Sequence, residues 1–211
     1  PAGLRLDQLP HIDVVLLSHN HYDHMDEHSL VALSRQTGGC PLFITPLGHK
    51  HWFARRGIHH VVELDWWDEH VLPATEHSLR MPVVLTPAQH WSARTTRDAL
   101  RSLWDIRQHF ARAQTPEQGG GFDLALLPIG AYEPRWFMKD QHVSPEESVQ
   151  IFEDLGCKRA LAVHWGTFQL TDEPLDQPPR DLAQARSHHG LTPSDFDTLA
   201  IGETCRIRRR S

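Results

Sequence analysis

No apolar run in these 211 residues approaches the ~18–20 that a membrane-spanning helix needs. Cysteine is scarce. Cys40, Cys157 and Cys205 lie far apart and form no CxxC pair. Such spacing excludes a disulfide framework and a thiolate zinc site, and it favours a reducing, cytoplasmic setting. Positive charge is not in excess either: Lys+Arg 21 against Asp+Glu 27 gives a formal net charge of −6. A nucleic-acid surface would need a basic stripe, so no nucleic-acid partner is expected. The one basic cluster, Arg206, Arg208, Arg209 and Arg210, reads as a solvated tail. The opening PAGLRLDQLPHID has no basic lead followed by an apolar block, so no signal peptide is expected. With 39% hydrophobic and 23% charged residues the chain is not disordered, and its length suits one domain over residues 1–211.

What the chain has in quantity is histidine, 17 residues of it. Neutral imidazole is the commonest protein metal ligand, so a metal site becomes a leading expectation. Short apolar runs over residues 13–17, 42–45, 61–64, 80–86, 123–127, 159–163 and 198–201 predict strands. Helices are predicted over residues 27–37, stopped by Gly38 and Gly39, over 48–56, and over 178–189. The strongest helix signal is Ser144-Pro145-Glu146-Glu147, with Ser as N-cap, Pro at the first position and Glu closing a capping box, the helix ending at Gly156. Strands alternating with helices make an α/β fold. The stretch at residues 118–121, QGGG, reads as a loop, and Trp66, Trp67, Trp136, Phe137 and Met138 read as core side chains before they read as a lipid-facing groove.

The chemistry concentrates in His19-Asn20-His21-Tyr22-Asp23-His24, directly after the first predicted strand. Residues i and i+2 of an extended segment share a face, so His19 and His21 can converge on one ion. Asp23 and His24, at the turn that follows, can address a second. Nitrogen and carboxylate donors without thiolate suit Zn²⁺ with a position left open for water. His90 and His164, each at the end of a predicted strand, are the candidate distal ligands, because functional groups in α/β sheets collect where strands end. Asp26 is open to two readings, a helix cap or a partner that orients a ligand imidazole.

HxHxDH after a strand resembles the metallo-β-lactamase superfamily. The longer strings SHNHYDHMD, LTPAQHWSART, LLPIGAYEPRWFMKDQHVSPEES and VHWGTFQLTDEPLDQPP are similar to those of the N-acylphosphatidylethanolamine-hydrolysing phospholipase D family and its bacterial relatives. That resemblance implies an αββα sandwich binding two Zn²⁺ ions, one through His19, His21 and His90, the other through Asp23, His24 and His164. It places Asp23 and His24 at the catalytic centre and gives Tyr22, Gln141 and His142 contacts to the substrate phosphate. His142 also lies just before a predicted helix N-terminus, where anions are favoured.

Two departures from the family pattern bear on these expectations. The family's first strands would lie upstream of Pro1. A strand pair and a Gly-Asp-Thr-Gly-Tyr loop, whose Asp bridges the two ions, has no counterpart between Trp104 and Asp105, so the sandwich is expected to be incomplete. Neither Asp98 nor Asp105 stands in the context of that Asp, so weak occupancy of the second ion site is expected. The function implied is phosphodiester hydrolysis of phospholipase D type on N-acylphosphatidylethanolamine-like lipids, with peripheral contact at a membrane surface. Alternatives are a hydrolase of the same fold acting on another ester, lactone or phosphate, and a catalytically impaired metal-binding scaffold.

Overall fold

Strands of three to five residues flanked by helices pair in parallel when each is apolar enough to be covered on both faces. Both three-stranded sheets of this chain are parallel, although Leu16, Leu126 and Val163 leave part of their surface exposed. The computed structural model describes residues 4–74, 80–86, 109–111 and 121–205. The chain divides into two compact units, Leu4–Arg101 and Ser102–Ser211.

In the first unit a 3₁₀ turn at Leu6–Gln8 precedes β1 (Val14–Leu16), α1 (Glu27–Ser34), β2 (Leu42–Pro46), α2 (Lys50–Ala54) and β3 (Val61–Leu64). The sheet order is β1-β2-β3, all parallel, with Val14 opposite Leu42 and Phe43 opposite Val61. Phe43 and Phe53 are fully buried with ring centroids 5.0 Å apart, and Leu17, Met25, Leu30, Ile58 and Val61 close around them. Each such burial contributes about 1.5–3 kcal/mol. Arg56 reaches Glu27 at 2.5 Å and lies 3.7 Å over the Trp52 ring, so one guanidinium joins the start of α1 to α2.

Helix α1 stops at Ser34, short of residue 37, because the Gln36 side chain accepts from Ile12 N (3.0 Å) and donates to Ile12 O (2.6 Å) and Gly39 O (3.1 Å). Helix α2 begins at Lys50, two residues after Gly48 at φ +93°. The strand expected over residues 80–86 is β5 (Met81–Val84), and its antiparallel partner β4 (Glu69–Leu72) was not expected, since polar Glu69 and His70 hide the pattern.

The second unit contains β6 (Ala125–Pro128), α3 (Arg135–Met138), α4 (Pro145–Leu155), β7 (Ala160–Val163), α5 (Gln177–His188) and β8 (Phe196–Asp197). Its parallel order is β6-β7-β8, with Ala125 opposite Ala160 and Ala160 opposite Phe196. The capping box at α4 forms as expected: Ser144 Oγ accepts from Glu147 N (3.3 Å), and Glu147 Oε2 accepts from Ser144 N (2.7 Å). Gly156 ends the helix at φ +63°. Val149, Phe152 and Leu155 of α4 share a core with Leu182 and Ala185 of α5 and with Phe196.

The closing strand lies at residues 196–197, not 198–201. Phe196 is fully buried, and Arg186 donates to its carbonyl (2.7 Å) and to Asp197 Oδ1 (2.6 Å). Ile201 is instead exposed in a turn closed from Glu203 N to Ala200 O. The reading of Trp136 and Phe137 as core also fails. They are 78% and 56% exposed, and only Met138 of that trio is buried, because a helix as short as α3 offers the core one face. Trp66 is exposed as well. Cys40, Cys157 and Cys205 form no disulfide with one another. Among the described residues no helix is long and apolar enough to cross a membrane.

One ionic clasp joins α4 to the end of α5. His189 Nε2 lies 3.0 Å from Glu146 Oε1, and Nδ1 lies 3.0 Å from Glu153 Oε2. The hydrogen bond to Glu146 raises the His189 pKa, desolvation opposes it, and Glu153 adds to the rise. A pKa raised by folding stabilises fully below the ordinary value of about 6.5 and is lost as pH climbs through the folded value. The urea midpoint of His189→Ala should therefore fall further below that of the unmutated chain near pH 5.5 than near pH 9. The difference should stay under about 1 kcal/mol because the clasp is at the surface. An equal gap at both pH values would show that the clasp is not ionic.

Candidate metal centre

In the first unit the site begins where β1 ends. Leu17 N donates to Ile44 O (2.9 Å), and the Leu17 side chain enters the core, so the chain leaves the sheet in a fixed direction. No helix or turn interrupts residues 17–21. Asn20 is 8% exposed and His19 and His21 flank it, so both imidazoles take the face opposite Asn20. The chain then turns: His21 O accepts from His24 N (3.1 Å) and Met25 N (2.7 Å), and Met25, 1% exposed, plugs the turn into the core.

This path gathers the four residues picked out by the sequence pattern. The His19 ring centroid lies 4.6 Å from that of His21 and 4.1 Å from that of His24, and His24 Nε2 is 3.3 Å from Asp23 Oδ2. Nε2 of His19 and of His21 are shielded from solvent. Ser18 Oγ lies 2.9 Å from His19 Nδ1. With Nδ1–H donating to that hydroxyl, the Nε2 lone pair is the one left for a metal, the usual arrangement of a ligating histidine. Three imidazoles and a carboxylate, without thiolate, match the donor set of a borderline divalent ion such as Zn²⁺.

Asp26 resolves as the cap. Its carboxylate accepts from Ser29 N at 2.8 Å, and the hydrogen bonds to Ser29 hold it below the usual carboxylate range, with burial opposing. Tyr22 is 74% exposed and does not pack into the core.

In the second unit His164 follows β7 directly, as the sequence places it, and adopts φ +60°. The neighbouring strand end makes room. A Cβ on Gly130 would stand 2.2 Å from the His164 carbonyl oxygen and 3.3 Å from Trp165 Cα, so only glycine lets β6 run this close. His142 stacks on His164, centroids 5.3 Å apart and planes 29° apart. Gln141 sits beside it, half-buried, its N–H donating to Met138 O (2.9 Å). Arg135 holds the turn that carries them: Nη1 donates to His142 O (3.0 Å) and Nη2 to both Glu147 oxygens (2.8 and 2.9 Å). His90, Asp98, Asp105 and the loop at 118–120 lie outside the described residues, as do the terminal arginines.

Ser18, Met25, Gly130 and Arg135 were not picked out from sequence. Only Gly130 carried a local signal, a glycine closing the apolar run LALLPIG.

A profile of the family described as beta-lactamase superfamily domain matches residues 1–165. The chain is 34% identical over 198 residues to the mitochondrial N-acyl-phosphatidylethanolamine-hydrolyzing phospholipase D of Saccharomyces cerevisiae, a match covering 84% of this chain and 41% of that protein. It is 31% identical over 229 residues to N-acyl-phosphatidylethanolamine-hydrolyzing phospholipase D 1 of Caenorhabditis elegans, covering 96% of this chain and 63% of that one. The chain thus spans less than two thirds of either relative. Among solved structures it resembles Igni18, a metallo hydrolase from Ignicoccus hospitalis, at a TM-score of 0.59 and 16% identity, over 94% of this chain and 80% of that one. At that identity the likeness is one of fold.

Gly130→Ala should push the His164 carbonyl away and lower stability by about 1–3 kcal/mol, the usual cost of overpacking. It should also move the His164 imidazole resonances. Gly121→Ala, whose Cβ would meet Gly156 O at 2.0 Å, is the control and should destabilise without moving them. Unshifted His164 signals in a folded Gly130→Ala protein would show that the close approach does not set the imidazole.

Proposed function

This chain belongs to the beta-lactamase superfamily domain family, and from that premise we propose that it is a metal-dependent hydrolase cleaving phosphodiesters in the phospholipase D sense. The observation that carries the reading is the convergence of His19, His21 and His24, with Asp23, at the end of β1. The substrate class follows from the two relatives named for N-acyl-phosphatidylethanolamine hydrolysis. On the family's sequence pattern His90 joins His19 and His21 as ligands of one Zn²⁺, and His164 joins Asp23 and His24 at the other. Contact with a membrane surface and a cytoplasmic setting belong to the same proposal.

A divalent ion supplies Lewis acidity, polarising a phosphoryl oxygen and bringing the pKa of water toward neutrality. The rest is the work of side chains. Ser18 fixes the His19 tautomer, and Asp23 and His24 complete the catalytic centre. His142 and Gln141 precede the N-terminus of α4, whose dipole favours an anionic phosphate. Tyr22 projects into solvent, open to a phosphate that docks there.

One sequence observation favours a second reading, a metal-binding scaffold of impaired activity: no Gly-Asp-Thr-Gly-Tyr lies between Trp104 and Asp105. Metal content and turnover separate the two. The purified chain should carry divalent metal by elemental analysis and hydrolyse N-acylphosphatidylethanolamine in mixed micelles faster than the soluble diester bis(p-nitrophenyl) phosphate. Chelation should abolish both activities. His19→Ala should lose more metal affinity than the ~10–100-fold typical of losing a group that only supports a ligand. Bound metal without turnover of either diester selects the scaffold, and turnover that survives chelation rejects both readings.

A further inference from the structure

We infer that Glu173 is a positioning residue for His142 and His164, clamping the turn after β6 onto the segment that follows His164 and so fixing where both imidazoles point. Its side chain is buried in the second unit, at 9% exposure, and none of its oxygens is idle. Oε1 accepts from Ala131 N (2.6 Å) and Tyr132 N (3.3 Å), while Oε2 accepts from Glu133 N (3.0 Å) and Thr171 Oγ1 (2.7 Å). One carboxylate thus collects three consecutive backbone N–H groups of the turn after β6. Asp172 N adds a bond to Glu133 O (3.3 Å), and Gln169 Nε2 braces the approach by donating to Thr171 O (2.7 Å) and Glu173 O (2.6 Å).

From this clamp a connected path reaches each imidazole. Toward His142, Glu133 Oε2 accepts from Arg135 N (2.9 Å), and Arg135 Nη1 donates to His142 O (3.0 Å). Toward His164, Gly130 immediately precedes the clamped N–H groups, and its Cα faces the His164 carbonyl. The segment 164–173 therefore lies against the turn after β6 at both ends, close to Gly130 at His164 and bonded through Glu173 at residues 131–133, and the His164 imidazole stacks on that of His142. Burial alone would raise the Glu173 pKa, but the bonds from Thr171 and from the backbone N–H groups outweigh it and lower the value. The clamp is ionised at neutral pH, which makes its bonds charge-assisted.

Glu173 also borders a cleft of about 360 Å³ with Tyr132, Asp172, Gln177 and Asp181. Glu133, Glu173 and Asp181, three of the carboxylates lining it, already accept hydrogen bonds from within the unit. Asp181 accepts from the Tyr132 hydroxyl and from Gln177 Nε2 (2.6 Å), so the acidic lining belongs to the clamp's surroundings.

The test uses the full chain with Glu173→Gln, Thr171→Val and, as a control for lost stability, Leu182→Ala in α5. Imidazole ¹H–¹⁵N correlations are recorded on metal-free protein, Zn²⁺ affinity by titration, and kcat and KM on bis(p-nitrophenyl) phosphate. Glu173→Gln should shift the His142 and His164 signals, weaken Zn²⁺ binding ~10–100-fold, lower kcat through His164 and raise KM through His142. Thr171→Val should do the same to a smaller degree, and it decides the matter should Glu173→Gln fail to fold. Leu182→Ala should lower stability and leave both imidazoles in place. Unmoved signals in the folded clamp variants, or equal movement in Leu182→Ala, would overturn the inference. The Zn²⁺ and kinetic arms rest on the hydrolase reading, whereas the imidazole arm does not. An unmutated chain that neither binds Zn²⁺ nor turns over would sink that reading and still leave the clamp tested.

Discussion

Leu17 and Met25 are drawn into one apolar core from opposite ends of a polar segment, and the cluster between them depends on that. At 6% and 1% exposure they each contribute on the order of 1.5–3 kcal/mol. Neither can leave without exposing apolar surface. The chain between them must extend, turn back on His21 O and present His19, His21, Asp23 and His24 on a short arc. Hydrocarbon burial therefore draws these side chains together, with the His19 ring centroid 4.1–4.6 Å from those of His24 and His21.

The second unit reaches a comparable end by other means. His164 is not bracketed by two buried aliphatics, since Val163 before it is partly exposed. Its placement comes from backbone: the closeness of Gly130 on one side, the stack with His142 on the other, and polar anchors at Arg135 and Glu173. Arg135 joins the capping box of α4 to the His142 carbonyl, so the signal that starts a helix also serves the turn that precedes it. Truncating the aliphatic anchors of the first unit would leave a cavity, whereas removing a polar anchor of the second would leave buried N–H groups unsatisfied.

How much of this could be read from sequence follows from the range of each interaction. The strand at 61–64, the capping box at Ser144 and the αL stop at Gly156 depend on residues a few positions apart, and they stand where the pattern put them. The HNHYDH cluster was legible for the same reason, because i and i+2 on an extended segment need no distant partner to share a face. Other features depended on distant partners or on a side of a helix that apolarity does not reveal. Helix α1 ends early because Gln36 bonds to Ile12, 24 residues away. The last strand shifts because Arg186 selects Phe196 and Asp197. Trp136 and Phe137 read as core because apolarity alone cannot say which side of a four-residue helix faces in. Glu173 was invisible because its partners at 131–133 lie some 40 residues upstream.

Backbone strain in the second unit points the same way as its hydrogen bonds. Ala131 and His164 both adopt left-handed conformations, at φ +68° and φ +60°, and neither is glycine. Each costs on the order of 1–2 kcal/mol relative to ordinary backbone. Such a cost persists only where surrounding contacts over-determine the conformation. Both strained residues lie in the pair of segments that Glu173 bonds together and that approach closely at Gly130, and Ala131 donates the shortest of the hydrogen bonds to the Glu173 carboxylate. Hydrogen bonds to a charged acceptor contribute about 1.5–3 kcal/mol each, so the bonds from 131–133 and Thr171 are enough to offset both strained residues. A strand end with no task would relax to right-handed backbone and release that strain. Here the strain is held on the two turns that set a stacked imidazole pair, which is where a fold would hold it if the direction of those rings were what mattered.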